Sequence, residues 1–161
     1  MPIEYTDAEI KELLSERKPV RKQDLARIVP KPKRDAFSER ELWVVGADGN
    51  HFVIKVRQNN INPLDFSVIL GVKNKRTQQI FRLRRYNGKS HEHSNKLEGE
   101  RAFYNFHVHQ ATARYQNAEG ETEDAYAVPT KEYGDVRSAI ACMIKECGIE
   151  LPPDQPELFS L

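Results

Sequence analysis

The spacing of apolar residues changes from helical to strand-like and back along the chain. Ile10, Leu13 and Leu14 fall on one helical face behind Thr6-Asp7-Ala8-Glu9. That tetrad has the capping-box form, a side-chain acceptor at the helix start answered three residues later by a carboxylate. A short N-terminal helix is predicted, ending near Lys18-Pro19, with another turn or two over Asp24 to Val29. Pro30 disfavours helix at the residue before it, so Lys31-Pro32-Lys33-Arg34 continues as an extended basic linker.

From Leu42 the period becomes two. Leu42-Trp43-Val44-Val45 meets Phe52-Val53-Ile54-Lys55-Val56 across Asp48-Gly49-Asn50, the pattern of a β-hairpin. Phe52, Ile54 and Val56 face one side of its second strand, and His51, Lys55 and Arg57 the other. Phe66 to Val72 alternates in the same way, and Ile80 to Tyr86 sets Phe81 and Leu83 opposite Arg82 and Arg84. Phe103 to Tyr115 supplies a long strand, and Ala125 to Val128 an edge strand before Pro129. Short connections favour antiparallel order.

The helical period returns at Asp135. Val136, Ala139, Ile140, Met143 and Ile144 form a buried stripe, and Gly148 followed by Ile149 suits a C-terminal cap. The expected fold is α+β: a curved antiparallel sheet of about five strands, with the N-terminal and C-terminal helices packed on one face. Residues 1–150 read as a single domain that includes the N-terminal helix and basic linker, and 151–161 as an extended tail containing three prolines.

Composition adds two constraints. No apolar run approaches the ~18 residues needed to cross a bilayer, and there is no signal-peptide pattern at Met1, so a cytoplasmic protein without membrane contact is expected. The net charge of +1 hides an asymmetry. Residues 1–89 carry 19 Lys/Arg against 11 Asp/Glu, or +8, whereas 90–161 carry 6 against 13, or −7. The basic part either meets a polyanion or packs against its acidic counterpart. Cys142 and Cys147, five apart on a predicted helix, are badly placed for a disulfide and read as small packed residues.

Four of the five histidines lie within nineteen residues, as His91-Glu92-His93 and His107-Val108-His109. Strand alternation puts His107 and His109 on one face with Asn105, and Phe106 and Val108 on the other. The first pair follows the turn signal Asn87-Gly88 and can fold over the neighbouring strand to meet the second. Polar residues hydrogen-bonded on a solvated sheet face are the plain explanation of such a cluster, and two chemistries compete with it.

One is metal binding. Neutral imidazoles ligate Zn, Fe, Ni or Cu, and His91, His93, His107 and His109 with Glu98 or Glu92 furnish enough donors for a divalent transition metal such as Zn. His91-x-His93 followed by Glu98 partly resembles the metal motif of cupins. The glycine spacing of that family is missing, and two terminal helices do not suit its all-β barrel.

The other is metal-independent RNA cleavage, which needs no cofactor. One imidazole takes the 2′-hydroxyl proton, another protonates the leaving oxygen, and cations stabilise the transition state. Arg82, Arg84, Arg85 and Lys89 precede the first histidine pair and Arg114 follows the second, while Tyr86 and Tyr115 are candidates to position a base. In a strand, Arg114 has the parity opposite to His107 and His109 unless a bulge intervenes.

No phosphate-cradling glycine loop and no Gly-x-Ser-x-Gly elbow is present, which removes support for nucleotide-driven and acyl-transfer chemistry. The segment Gln155-Pro156-Glu157-Leu158-Phe159 resembles the Gln-x-x-Leu-Phe peptide by which bacterial proteins dock into the replication sliding clamp. The resemblance implies insertion of Leu158 and Phe159 into an apolar pocket with polar contacts from Gln155. The ordinary alternative folds these residues back onto the core.

The leading expectation is a bacterial or phage nucleic-acid-processing protein, a toxin-like ribonuclease with His107 and His109 as acid and base. Arg84 and Arg85 would hold phosphate, and His91 and His93 would complete the site. A His-rich metalloprotein and a noncatalytic nucleic-acid or protein-binding adaptor are the alternatives.

Overall fold

The computed structural model describes residues 4–30, 37–89, 95, 97, 105–118 and 121–152. Helix α1 (Asp7–Ser15) begins with the predicted capping box: Glu9 N donates to Thr6 Oγ1 at 3.1 Å, and Thr6 N donates to Glu9 Oε1 at 3.0 Å. A two-residue strand, β1 (Lys18–Pro19), leads to α2 (Lys22–Ile28), which buries Leu25 and Ile28.

Among the described residues six strands then form an open antiparallel meander in chain order: β2 (Phe37–Val45), β3 (His51–Asn59), β4 (Phe66–Lys73), β5 (Ile80–Asn87), β6 (His107–Gln110) and β7 (Ala127–Pro129). The sixth strand comes from the predicted edge segment, which pairs with β6 through Val108 and Val128. The hairpin between β2 and β3 turns at Gly49, whose φ of +86° is one that glycine adopts without a Cβ penalty. Sequence reasoning placed a strand over 103–115. Its described part is only four residues long, because the Thr112 hydroxyl accepts from Tyr115 N at 3.1 Å and starts a helical turn, α3 (Ala113–Gln116).

The N- and C-terminal helices cover one face of this sheet. Ile10, Leu25, Ile28, Ile140 and Met143 pack with Phe52, Ile54, Val56, Val68 and Leu70 in one buried cluster. Each such side chain contributes ~1.5–3 kcal/mol when fully removed from water. The C-terminal helix α4 (Val136–Glu146) starts at Asp135, whose carboxylate accepts from Ser138 N at 2.8 Å. Its Val136, Ala139, Ile140 and Met143 are buried, and Ile144 is half-buried.

The segment after α4 closes on the N-terminal helix. Gly148, at φ +69°, lies so near α1 that a Cβ there would meet the Glu16 carbonyl oxygen at 2.6 Å. Strand β8 (Ile149–Glu150) then pairs parallel with β1, Lys18 opposite Ile149. Lys18 does more than pair β1 with β8. Its fully buried ammonium shares three N–H groups among the carbonyls of Leu13, Leu14, Glu16 and Cys147 at 2.7–3.1 Å and lies 4.3 Å from the centre of the Phe52 ring. One cation thus satisfies carbonyls that α1 and α4 leave unpaired at their C-terminal ends, where the helix dipole favours positive charge.

Candidate functional site

The candidate site lies on the sheet face away from the helices, and a β-bulge decides which residues reach it. Across β4 and β5, Leu70 pairs with Arg84 and Gly71 with Arg82, leaving Leu83 as the extra residue. An extra residue reverses the alternation beyond it. Arg82 and Arg85 therefore share the outer face, while Arg84 joins Leu83 and Tyr86 on the helix side. The sequence expectation holds for Phe81, Leu83 and Arg82. Arg84 departs from it and lies near Glu146 and Cys147 at the end of α4.

Strand β6 sets the histidines beside these arginines. Arg85 is the register partner of His109, and Asn87 that of His107. The two imidazoles are 4.9 Å apart between centroids at an interplanar angle of 63°, and they are 0% and 3% exposed. His107 Nδ1 lies 2.7 Å from the Asn105 carbonyl oxygen, and His109 Nδ1 2.8 Å from that of Asp124. A carbonyl oxygen only accepts, so both Nδ1 atoms carry hydrogen, which leaves Nε2 as the nitrogen that gains or loses a proton in each ring.

Asp124 binds the group together. Its fully buried carboxylate accepts from Thr122 Oγ1 at 3.1 Å and pairs with Arg82 Nη2 at 3.4 Å and Arg85 Nε at 3.3 Å. Arg82 Nε also donates to Glu123 Oε1 at 3.0 Å. Burial lowers the pKa of Arg85; Asp124 opposes this, and the neighbouring Arg82 and Arg57 charges add to it. Burial would raise the Glu123 carboxyl, but the hydrogen bond and charge of Arg82 outweigh it and hold Glu123 below the ordinary range.

Beside Arg85 the outer face opens into a cleft of about 500 Å³ whose lining includes Glu39, Glu41, Lys55, Arg57, Ser67 and Arg85. Two cross-strand rows build it: Glu41, Lys55, Ile69, Arg85 and His109 in one, Glu39, Arg57, Ser67, Asn87 and His107 in the next. Arg57 pairs with Asp65 at 3.2 Å, and Ser67 Oγ donates to Asn87 Oδ1 at 2.8 Å. Lys55 is exposed.

The other sequence-predicted residues are scattered. Tyr86 is in the core, its hydroxyl donating to Glu146 Oε1 at 2.8 Å, and Tyr115 is buried with its hydroxyl accepting from Leu97 N at 3.3 Å. Neither ring offers a face to a base, which corrects that part of the sequence-based expectation. Arg114 is exposed on α3, its guanidinium donating to the Leu97 carbonyl at 3.0 Å, so strand parity does not apply to it. Lys89 is half-buried just past β5, and its backbone N–H donates to the Leu64 carbonyl at 2.8 Å. His91, His93, Glu92 and Glu98, the linker at 31–34 and the tail residues Gln155, Leu158 and Phe159 lie outside the described residues. Among the described residues no group of three or more His, Cys, Asp or Glu side chains is placed to hold a metal ion, and no helix is long and apolar enough to cross a membrane.

No protein-family model, curated protein or solved structure matches the chain. Sequence reasoning missed Lys55, Arg57, Ser67 and Asp124 as members of the site. Asp124 carried a weak signal, the only acidic turn following the histidine strand, but nothing local ties it to Arg82 and Arg85 about forty residues earlier.

Proposed function

We propose that the chain binds nucleic acid on the outer face of its sheet, with phosphates held by Lys55, Arg57 and Arg85. The observation that carries this reading is the pairing of Arg85 with His109 in one cross-strand row beside His107. A cation that attracts a phosphodiester and two imidazoles are the parts that RNA cleavage requires. Because His107 and His109 are 0% and 3% exposed, cleavage also requires that their Nε2 atoms become accessible to the RNA, whereas binding at Lys55 does not. In that reaction the 2′-oxygen attacks phosphorus as one neutral Nε2 takes its proton. The 5′-oxygen leaves with a proton from the other imidazole, which must start protonated.

Binding and cleavage are separated by one set of assays on labelled single-stranded RNA. Three phosphate contacts give a log–log salt slope of about −2, and Lys55→Glu, at an exposed position, is expected to weaken binding. Cleavage lost in His107→Ala, His109→Ala protein that still binds RNA supports the ribonuclease. Binding without cleavage by the unmodified chain leaves a nucleic-acid adaptor, and RNA that neither binds nor breaks overturns the proposal.

A second reading is favoured by the Nδ1 contacts. Histidines that ligate metals commonly donate their other ring N–H to a carbonyl, which fixes the tautomer and turns Nε2 toward the ion. Near-stoichiometric zinc or another transition metal in untagged protein, lost in the double histidine variant, supports it. Full loading of that variant rejects these two ligands.

A further inference from the structure

Phosphate contacts leave the β2 side of the outer cleft unused. Trp43 stands next to that side on β2, 47% exposed, in the cross-strand row that continues through Val53 and Gly71 to Arg82. Its indole Nε1 donates to Glu41 Oε1 at 2.8 Å, two residues back on the same strand and face. Glu39 follows by the same alternation, so β2 presents Glu39, Glu41 and Trp43 in a line. Lys55 and Arg57 face them from β3, and Arg85 from β5.

Charge is therefore divided across the cleft, carboxylates at the β2 edge and cations toward the middle of the sheet. A surface for phosphate alone is weakened by two carboxylates, which repel a polyanion. A nucleotide matches both halves: its phosphate is anionic, while its base is a flat ring whose edge carries N–H donors. After accepting from Trp43, the Glu41 carboxylate keeps spare acceptor capacity. A carboxylate accepting from the cytosine N4 amino group is a standard discriminating contact, and an exposed aromatic ring is the usual platform for an unstacked base.

Resting on the nucleic-acid reading above, we propose that Trp43 and Glu41 form a base subsite for single-stranded nucleic acid. Trp43 stacks on the base, and Glu41 accepts from its exocyclic amino group. Cytosine is thereby preferred to uracil, which presents an oxygen where cytosine has the amino group. Bases held within a duplex are excluded, since their faces are already stacked.

Trp43 is the sole tryptophan, so emission from the full chain reports on this position alone. Titration with short single-stranded oligo(C) and oligo(U) RNA is followed by tryptophan emission and, in parallel, by anisotropy of the labelled RNA. The expected result is saturable quenching, with oligo(C) bound about tenfold tighter than oligo(U). Glu41→Ala collapses that difference, and Trp43→Ala weakens both ligands where Trp43→Phe does not. Both positions are exposed on an edge strand, so these variants retain the fold. Anisotropy showing equal binding of the two RNAs with unchanged emission removes the base subsite and leaves phosphate binding standing. No anisotropy change with either RNA removes the underlying reading and this proposal with it.

Discussion

Arg85 stands opposite His109 across the β5–β6 ladder, and both are tied to Asp124, the guanidinium through its carboxylate and the imidazole through its carbonyl. The Leu83 bulge makes this possible, because without the extra residue Arg85 would face the helices. A local irregularity in strand pairing therefore places a cation beside the histidine pair.

Asp124 is expected to be the costliest position of this group to change. Truncation to alanine leaves Arg82 and Arg85 facing each other without the buried carboxylate between them. Removing one partner of a fully buried ion pair costs ~3–5 kcal/mol, and because both arginines are partly exposed the loss here should be roughly 2–4 kcal/mol. Urea unfolding of Asp124→Ala measures it. A change below about 0.5 kcal/mol, the range of an ordinary surface substitution, contradicts the role assigned to the carboxylate.

Glu123 supplies an acid-dependent component of stability. Its folded pKa lies below the ordinary 4.5 because Arg82 outweighs the effect of burial. The unfolded chain then binds the proton first as pH falls. The contribution is present above about pH 4.5 and is lost as pH drops through the lower folded value. Between about pH 6 and pH 3, Glu123→Gln should lose less stability than the unmodified protein in thermal melts. Parallel curves for the two proteins would show that the Arg82 contact is not coupled to titration.

Short-range signals account for most of what the sequence foretold. Thr6 and Glu9 identify the first helix because the capping contacts span three residues, and Asp135 marks the last one for the same reason. Alternation across Phe52, Ile54 and Val56 identifies the buried face of β3, and the shared parity of His107 and His109 places their rings together. The position of Arg85 was not legible, because the bulge arises from pairing with Leu70 and Gly71 on another strand. Asp124 was hidden for a similar reason: its arginine partners are distant in sequence. Thr112 could have been recognised as a helix start, but the alternating residues before it favoured a continued strand.

The two thiols should separate by accessibility. Cys142 is partly exposed on α4, whereas Cys147 is buried, and desolvation raises both thiols above their ordinary pKa. A thiol-reactive disulfide reagent at pH 8 should therefore modify Cys142 slowly and Cys147 only on opening of the fold. Comparing Cys142→Ser and Cys147→Ser protein assigns the two phases. Prompt labelling of both cysteines would mean that the contact between the end of α4 and β1 opens readily.

Lys18 offers the most direct test of how the C-terminal ends of α1 and α4 are held together. Burial lowers its pKa to about 8, opposed by the charges of Cys147 and Glu16, and four carbonyl oxygens surround the ammonium. Replacement by methionine keeps an unbranched chain of comparable length over Phe52 but leaves carbonyls from both α1 and α4 without their donor. Hydrogen bonds to a charged group contribute ~1.5–3 kcal/mol each in isolation. Their effects are not additive around one ammonium, so Lys18→Met should lose about 3 kcal/mol, with Lys18→Arg also destabilising because a planar guanidinium does not fit the four-carbonyl cage. Chemical acetylation of the native protein followed by peptide mass mapping provides a second readout. Lys18 should stay unmodified while exposed Lys55 reacts, and rapid acetylation of Lys18 would contradict a buried ammonium joining the two helix ends.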